Sequence, residues 1–135
     1  MQISDILNEH KGREGPLLPI LHDVQAEFGF ISEDAIRTIA EALNLTRAEV
    51  HGVVSFYHDF RTAPDARPVV KLCRAEACQA RGIDAVAAAV PQQDRVKIET
   101  IYCLGLCSVG PAAMVGTTVH ARLDAEKLTA LVAAI

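Results

Sequence analysis

The residues in this chain best suited to chemistry are its four cysteines, which come as two close pairs, Cys73-Arg-Ala-Glu-Ala-Cys78 and Cys103-Leu-Gly-Leu-Cys107. Two thiol pairs of this kind suit a four-thiolate site on which two chain segments converge. Gly105 fits such a site, because a turn that brings two sulfurs together often needs a positive φ or a close backbone approach. Backbone N–H groups in these loops can point at the sulfurs and favour negative charge there. Arg74 and Arg81 would add positive charge beside the first pair, although a solvated surface position is the simpler account of each.

Spacing favours an iron–sulfur cluster and leaves structural zinc as its rival. Zinc tolerates two to four residues between paired cysteines, but zinc ribbons usually carry tighter C-x-x-C knuckles. A dithiol redox enzyme of thioredoxin type is expected to show C-x-x-C, which is absent. Structural disulfides are disfavoured in a reducing compartment. The plant-type ferredoxin order C-x4-C-x2-C is not met, because Arg81 stands where its third cysteine would fall. No histidine lies near either pair, as a Rieske centre requires, so all-cysteine ligation is what a cluster would use.

Other chemistry is not visible. His51 and His58 could share a helix face but have no metal-binding pattern around them, and no Ser-His-Asp arrangement can be assembled. Neither G-x-G-x-x-G nor a Walker loop is present, so no dinucleotide or nucleoside triphosphate site is expected and no catalytic residue is assigned. With 135 residues, half of them hydrophobic, and a net charge of −4, the chain has a core but no basic field for nucleic acid. No apolar run approaches the roughly 20 residues of a membrane span. The first residues alternate charged and apolar side chains and lack the apolar segment of a secretory signal, so a cytoplasmic protein is expected.

The elements that must position the cysteines follow from apolar periodicity. Three amphipathic helices are predicted first. One runs from Pro16, in the first turn, to a stop at Gly29, with Leu17, Leu21, Val24 and Phe28 on one face. The next follows Ser32 and carries Ile36, Ile39, Ala40 and Leu43. The third opens on a Thr46/Glu49 capping box and aligns Val50, Val53, Val54 and Tyr57. Prolines 64 and 68 break this periodicity, so residues 63–68 are read as a linker, with a helical bundle over 1–64 and an α/β domain over 65–135. In the second part, strands are expected at 69–72 and 96–101 and a helix near 83–90. A hairpin of 112–115 with 118–123 around Gly116 should follow, then a helix capped by Asp124 with Leu128, Leu131, Val132 and Ile135 inward. Each cysteine pair would then lie in a loop just after a strand.

The segments LLPILHDVQAEFGFIS and LNLTRAEVHGVVSFYHDF, the C-x4-C pair, and CLGLC followed by Gly110-Pro111 together resemble the thioredoxin-like [2Fe-2S] ferredoxins of the 24-kDa subunit of respiratory complex I and its relatives. The resemblance covers nearly the whole chain. It implies an α+β protein with an N-terminal helical bundle and a thioredoxin-like α/β domain, and one [2Fe-2S] cluster held by Cys73, Cys78, Cys103 and Cys107. The wording CRAEACQARG and YCLGLC-SVGPAAMVG is most similar to the gamma subunit of NAD-dependent, molybdenum-containing formate dehydrogenases. That similarity implies a non-catalytic electron-transfer subunit beside a flavin and NAD-binding subunit and a large catalytic subunit. FMN, NAD and the molybdenum cofactor would all lie on those partners. Equivalent subunits of complex I or of a bidirectional hydrogenase diaphorase are alternatives, as is a zinc-stabilised assembly module. The stretch between Cys78 and Cys103 is shorter than the resemblance implies, so a trimmed helix or strand is expected there. Leu104, Leu106 and Val109 are expected to be partly exposed, either as a docking patch for a partner or as a shield over the cluster.

Overall fold

A computed structural model describes residues 1–135, whose contacts gather into two units, Met1–Ala66 and Arg67–Ile135. The first unit holds four helices: α1 (Ile3–Glu9), α2 (Leu17–Phe28), α3 (Glu33–Leu43) and α4 (Arg47–Phe56). Their starts and stops are local chemistry. The Ser32 hydroxyl accepts the Ala35 N–H at 3.0 Å, and Thr46 and Glu49 exchange hydrogen bonds in a capping box. Gly29 closes α2 in the left-handed conformation at φ 84°, where a Cβ would be strained.

Ile6, Ile20, Leu21, Val24, Ile36, Ile39, Val50 and Val54 fill the space between the helices. The chain leaving α4 is tied back by Gln25 of α2. Its amide oxygen accepts the Arg61 N–H at 2.8 Å and its amide nitrogen donates to the Asp59 carbonyl.

Several expectations need correcting here. There are four helices, because the short α1 also buries Ile6 in the core. Pro16 takes the N-cap of α2, one step before the first turn. Phe28 sits in the last turn, past the buried rows, and is 42% exposed. Tyr57 is the C-cap of α4 and turns to extended geometry, so its ring leaves the helix face and meets Phe56 edge-on at 5.1 Å.

The second unit is a four-stranded sheet in the order β2-β1-β3-β4, formed by β1 (Val69–Cys73), β2 (Lys97–Ile101), β3 (Ala113–Val115) and β4 (Thr118–His120). β1 runs parallel to β2 and antiparallel to β3, and β3 and β4 form the expected hairpin at Gly116. Helices α5 (Glu76–Ala80), α6 (Ile83–Ala88) and α7 (Ala125–Ala133) complete the unit. The overall class is α+β, with helices first and the sheet after them. Val70, Leu72, Val96, Ala113, Leu128 and Val132 make the main core.

The second hairpin strand stops at His120, short of the expected Leu123, because Arg122 adopts φ 50° and breaks extended pairing. The short stretch between the cysteine pairs still holds the end of α5 and all of α6 and β2. Asp124 caps α7 as expected, accepting the Lys127 N–H at 2.7 Å.

Candidate metal centre

Parallel pairing is what brings the two cysteine segments together. Cys73, the last residue of β1, lies level with Ile101, the last residue of β2, so both chains leave the same end of the sheet. The Arg74 N–H then donates to the Ile101 carbonyl at 2.9 Å, and the Cys73 N–H donates to the Ala112 carbonyl at 3.0 Å. Three segments are thereby stitched at one point: the end of β1, the end of β2 and the approach to β3.

Cys78 does not sit in a loop, as the sequence suggested, but inside the five-residue helix α5. That helix is too short for apolar periodicity to reveal it. Its placement sends the Cys78 side chain inward. Cys73 and Cys78 are each 2% exposed and form a small core with Ile83 and Ala112, against which Ile101, Leu104 and Leu106 pack. Leu104 and Leu106 are therefore half-buried covers of the thiols, and the large exposed side chain nearby is Tyr102, at 72%.

Cys103 and Cys107 are exposed, with their sulfurs 3.6 Å apart. Two thiolates on one tetrahedral ion, with bonds near 2.3 Å, stand about 3.8 Å apart. The second pair thus already has nearly the spacing that one metal ion demands. Cys103 and Gly105 both take left-handed φ, 75° and 76°, which curls the loop so that the Gly105 N–H points at the Cys103 sulfur at 3.4 Å.

The sulfurs sense one another across the two pairs. Burial pushes the Cys73 thiol up, but N–H groups of Ala75, Cys103 and Leu104 and the Cys78 side chain outweigh it and leave Cys73 below the ordinary thiol value of 9.0. Two of those N–H groups come from the other cysteine loop. Burial, then the hydrogen bond to Cys73, raises Cys78, and the Ala112 N–H partly opposes this. The Cys103 hydrogen bond and charge raise Cys107, with a smaller contribution from Cys73. The arrangement is a cluster of thiols whose negative charges would repel until a cation neutralises them, surrounded by N–H donors that favour thiolate sulfur.

No three of the Cys, His, Asp and Glu side chains converge tightly enough to hold a single ion. The chain presents Cys73 with Cys78 in one small core and Cys103 with Cys107 in the neighbouring loop, a set whose chemistry fits two cysteines on each iron of a two-iron cluster. Arg74 turns from the sulfurs to Asp84, at 2.6 Å. His51 and His58 are both exposed.

Sequence reasoning missed two further contributors. The Ala112 backbone holds both Cys73 and Cys78, and Gly110 packs on the Cys78 sulfur. Ala112 acts through its backbone, which leaves no mark in residue type. No helix is long and apolar enough to cross a membrane.

A family model described as thioredoxin-like [2Fe-2S] ferredoxin matches residues 3–135. The HndA subunit of the NADP-reducing hydrogenase of Solidesulfovibrio fructosivorans is 30% identical, over 90% of this chain and 77% of that protein. A subunit of the NADH-quinone oxidoreductase of Escherichia coli (strain K12) is 29% identical, over 80% of this chain and 72% of that one. Among solved structures, a chain of an NAD+-reducing [NiFe]-hydrogenase in the air-oxidized state superposes with a TM-score of 0.70 and 25% identity over 87% of this chain. This chain spans only 22% of that much longer hydrogenase chain.

Proposed function

The chain belongs to the thioredoxin-like [2Fe-2S] ferredoxin family, which carries a [2Fe-2S] cluster, and on that premise we propose that Cys73, Cys78, Cys103 and Cys107 are the ligands and that the protein is an electron-transfer subunit of a multi-subunit NAD-linked oxidoreductase. The observation that carries this reading is the pairing of sulfurs at the common end of β1 and β2, one pair buried and one exposed. Bound there, the cluster would supply a site that takes up and releases one electron at a time.

The chain's own residues do the rest. Cys73 and Cys78 anchor the inner side, where Leu104 and Leu106 keep water away. N–H groups of Ala75, Cys103, Leu104 and Ala112 face the inner sulfurs and offset the charge that an added electron brings. Cys103 and Cys107 lie on the open side, so electrons enter and leave there, beside Tyr102.

Donor and acceptor are other proteins, because no nucleotide fingerprint accompanies the cysteines. We assign the flavin and NAD-binding subunit as the immediate neighbour and a large catalytic subunit as the next, with FMN, NAD and a molybdenum cofactor confined to them. The parent complex we favour is a cytoplasmic NAD-dependent formate dehydrogenase, on the wording around both cysteine pairs. A complex I or hydrogenase parent is the second reading, favoured by the names of the relatives. Affinity purification of the tagged chain from its own cells, with identification of the co-purifying subunits, decides between them. A molybdenum-binding formate dehydrogenase subunit supports the first reading, and quinone-reductase or hydrogenase subunits overturn it.

A further inference from the structure

Gly110 has an ordinary backbone conformation, φ −65° and ψ 168°, which any residue adopts. Its being glycine is therefore not a matter of backbone freedom. A Cβ built on it would stand 3.0 Å from the Cys78 sulfur and 3.3 Å from Cδ of Arg81. The arginine carbon belongs to a flexible side chain and can swing aside. The sulfur cannot, because Cys78 is 2% exposed and packed among Cys73, Ile83 and Ala112.

Gly110 cannot retreat either. The Val109 carbonyl accepts the Arg122 N–H at 2.7 Å, the Pro111 carbonyl accepts the Leu123 N–H at 3.0 Å, and the Ala112 carbonyl accepts the Cys73 N–H at 3.0 Å. The backbone on both sides of Gly110 is fixed to two other segments, so its Cα is held against the sulfur.

We propose that Gly110 is a positioning residue: the absence of a side chain there lets the Cys78 sulfur reach its place in the four-thiol site. An added methyl group moves the sulfur relative to its partner Cys73 and alters ligation from the inner side. This deepens the ligand assignment of Cys78 and rests on it for its redox consequence, whereas the steric relation between Gly110 and Cys78 stands without any metal.

The test is a double-mutant cycle in the full chain with Gly110→Ala, Cys78→Ala and the pair. In metal-free protein, Gly110→Ala lowers the urea midpoint of the second unit when Cys78 is present and leaves it unchanged in the Cys78→Ala background, where the sulfur is gone. Cys78→Ser, whose oxygen is smaller than sulfur, is a second background and should show a reduced penalty. In protein reconstituted with iron and sulfide, Gly110→Ala shifts the g values of the reduced cluster and speeds bleaching by a chelator, although the fold is retained by circular dichroism. Equal penalties whether cysteine, alanine or serine occupies position 78 overturn the proposal, as do an unchanged spectrum and bleaching rate. If the unmodified chain takes up no iron, the ligand assignment fails, and the urea cycle alone still decides whether Gly110 makes room for Cys78.

Discussion

Cys73 and Ile101 lie opposite each other as the last residues of two parallel strands, and the residue after Cys73 hydrogen-bonds the Ile101 carbonyl at 2.9 Å. Because Cys103 follows Ile101 by only two positions, this register places the first thiol of each pair at one end of the sheet. A slip of one residue would turn the side chains of β2 to the opposite face and carry the second loop away from the first.

The inner and outer thiols should respond differently to substitution. Serine at Cys103 or Cys107 removes cluster binding while leaving the metal-free chain's stability nearly unchanged, since both side chains face solvent. Serine at Cys73 or Cys78 removes cluster binding and also puts a hydroxyl into a site that is 2% exposed. That should cost about 1–3 kcal/mol. Urea denaturation of the four metal-free variants tests this, and equal losses at all four positions would contradict it.

Tyr102 is the side chain on which to test partner docking. At 72% exposure beside the outer thiols, Tyr102→Asp should keep the cluster spectrum and weaken association with the flavin subunit in a pull-down. Leu106→Asp should behave differently, because Leu106 packs on the Cys73 and Cys78 core, so the charge should speed cluster loss. A Tyr102 variant that binds its partner normally argues against this face.

In the helical unit, Gln25 holds the returning chain at Asp59 and Arg61. Gln25→Ala should destabilise that unit by about 1–2 kcal/mol. Cluster content should stay the same. Hydrogen exchange resolved by residue would locate the loss, and equal loosening across residues 67–135 would contradict it.

Glu49 supplies a pH test. Hydrogen bonds from the Thr46 backbone and hydroxyl hold its carboxyl below the ordinary value of 4.5. A depressed carboxylate stabilises the folded state above its unfolded value, and that contribution is lost as the pH falls through the folded value. The thermal midpoint of the helical unit should therefore drop as the pH goes below 4.5, and Glu49→Gln should flatten that drop. An identical pH profile in the variant would remove Glu49 as the cause.

Where a residue's own chemistry dictates structure, the sequence is readable. The Thr46/Glu49 box, Ser32, Gly29 and Asp124 mark helix ends that the structure shows, and the apolar spacing of Ile36, Ile39 and Ala40 marks a buried face. The short α1 and α5 carry too few residues to display a period and lack the alanine-rich run that marks the equally short α6, so the sequence reads Cys78 as a loop residue. The inner and outer character of the two pairs was equally hidden, because it depends on which side of the sheet end α5 and Leu104 close. Gly110 and Ala112 matter through a missing atom and a backbone amide, and single-sequence patterns register neither.

The four thiols are assigned to two irons and not to one zinc. Anaerobic purification of the full chain followed by metal and acid-labile sulfide analysis tests that assignment most directly. About two iron and two sulfide ions per chain, with a reduced-state EPR signal from a single spin, is the expected result. One zinc per chain with no iron or sulfide would contradict it.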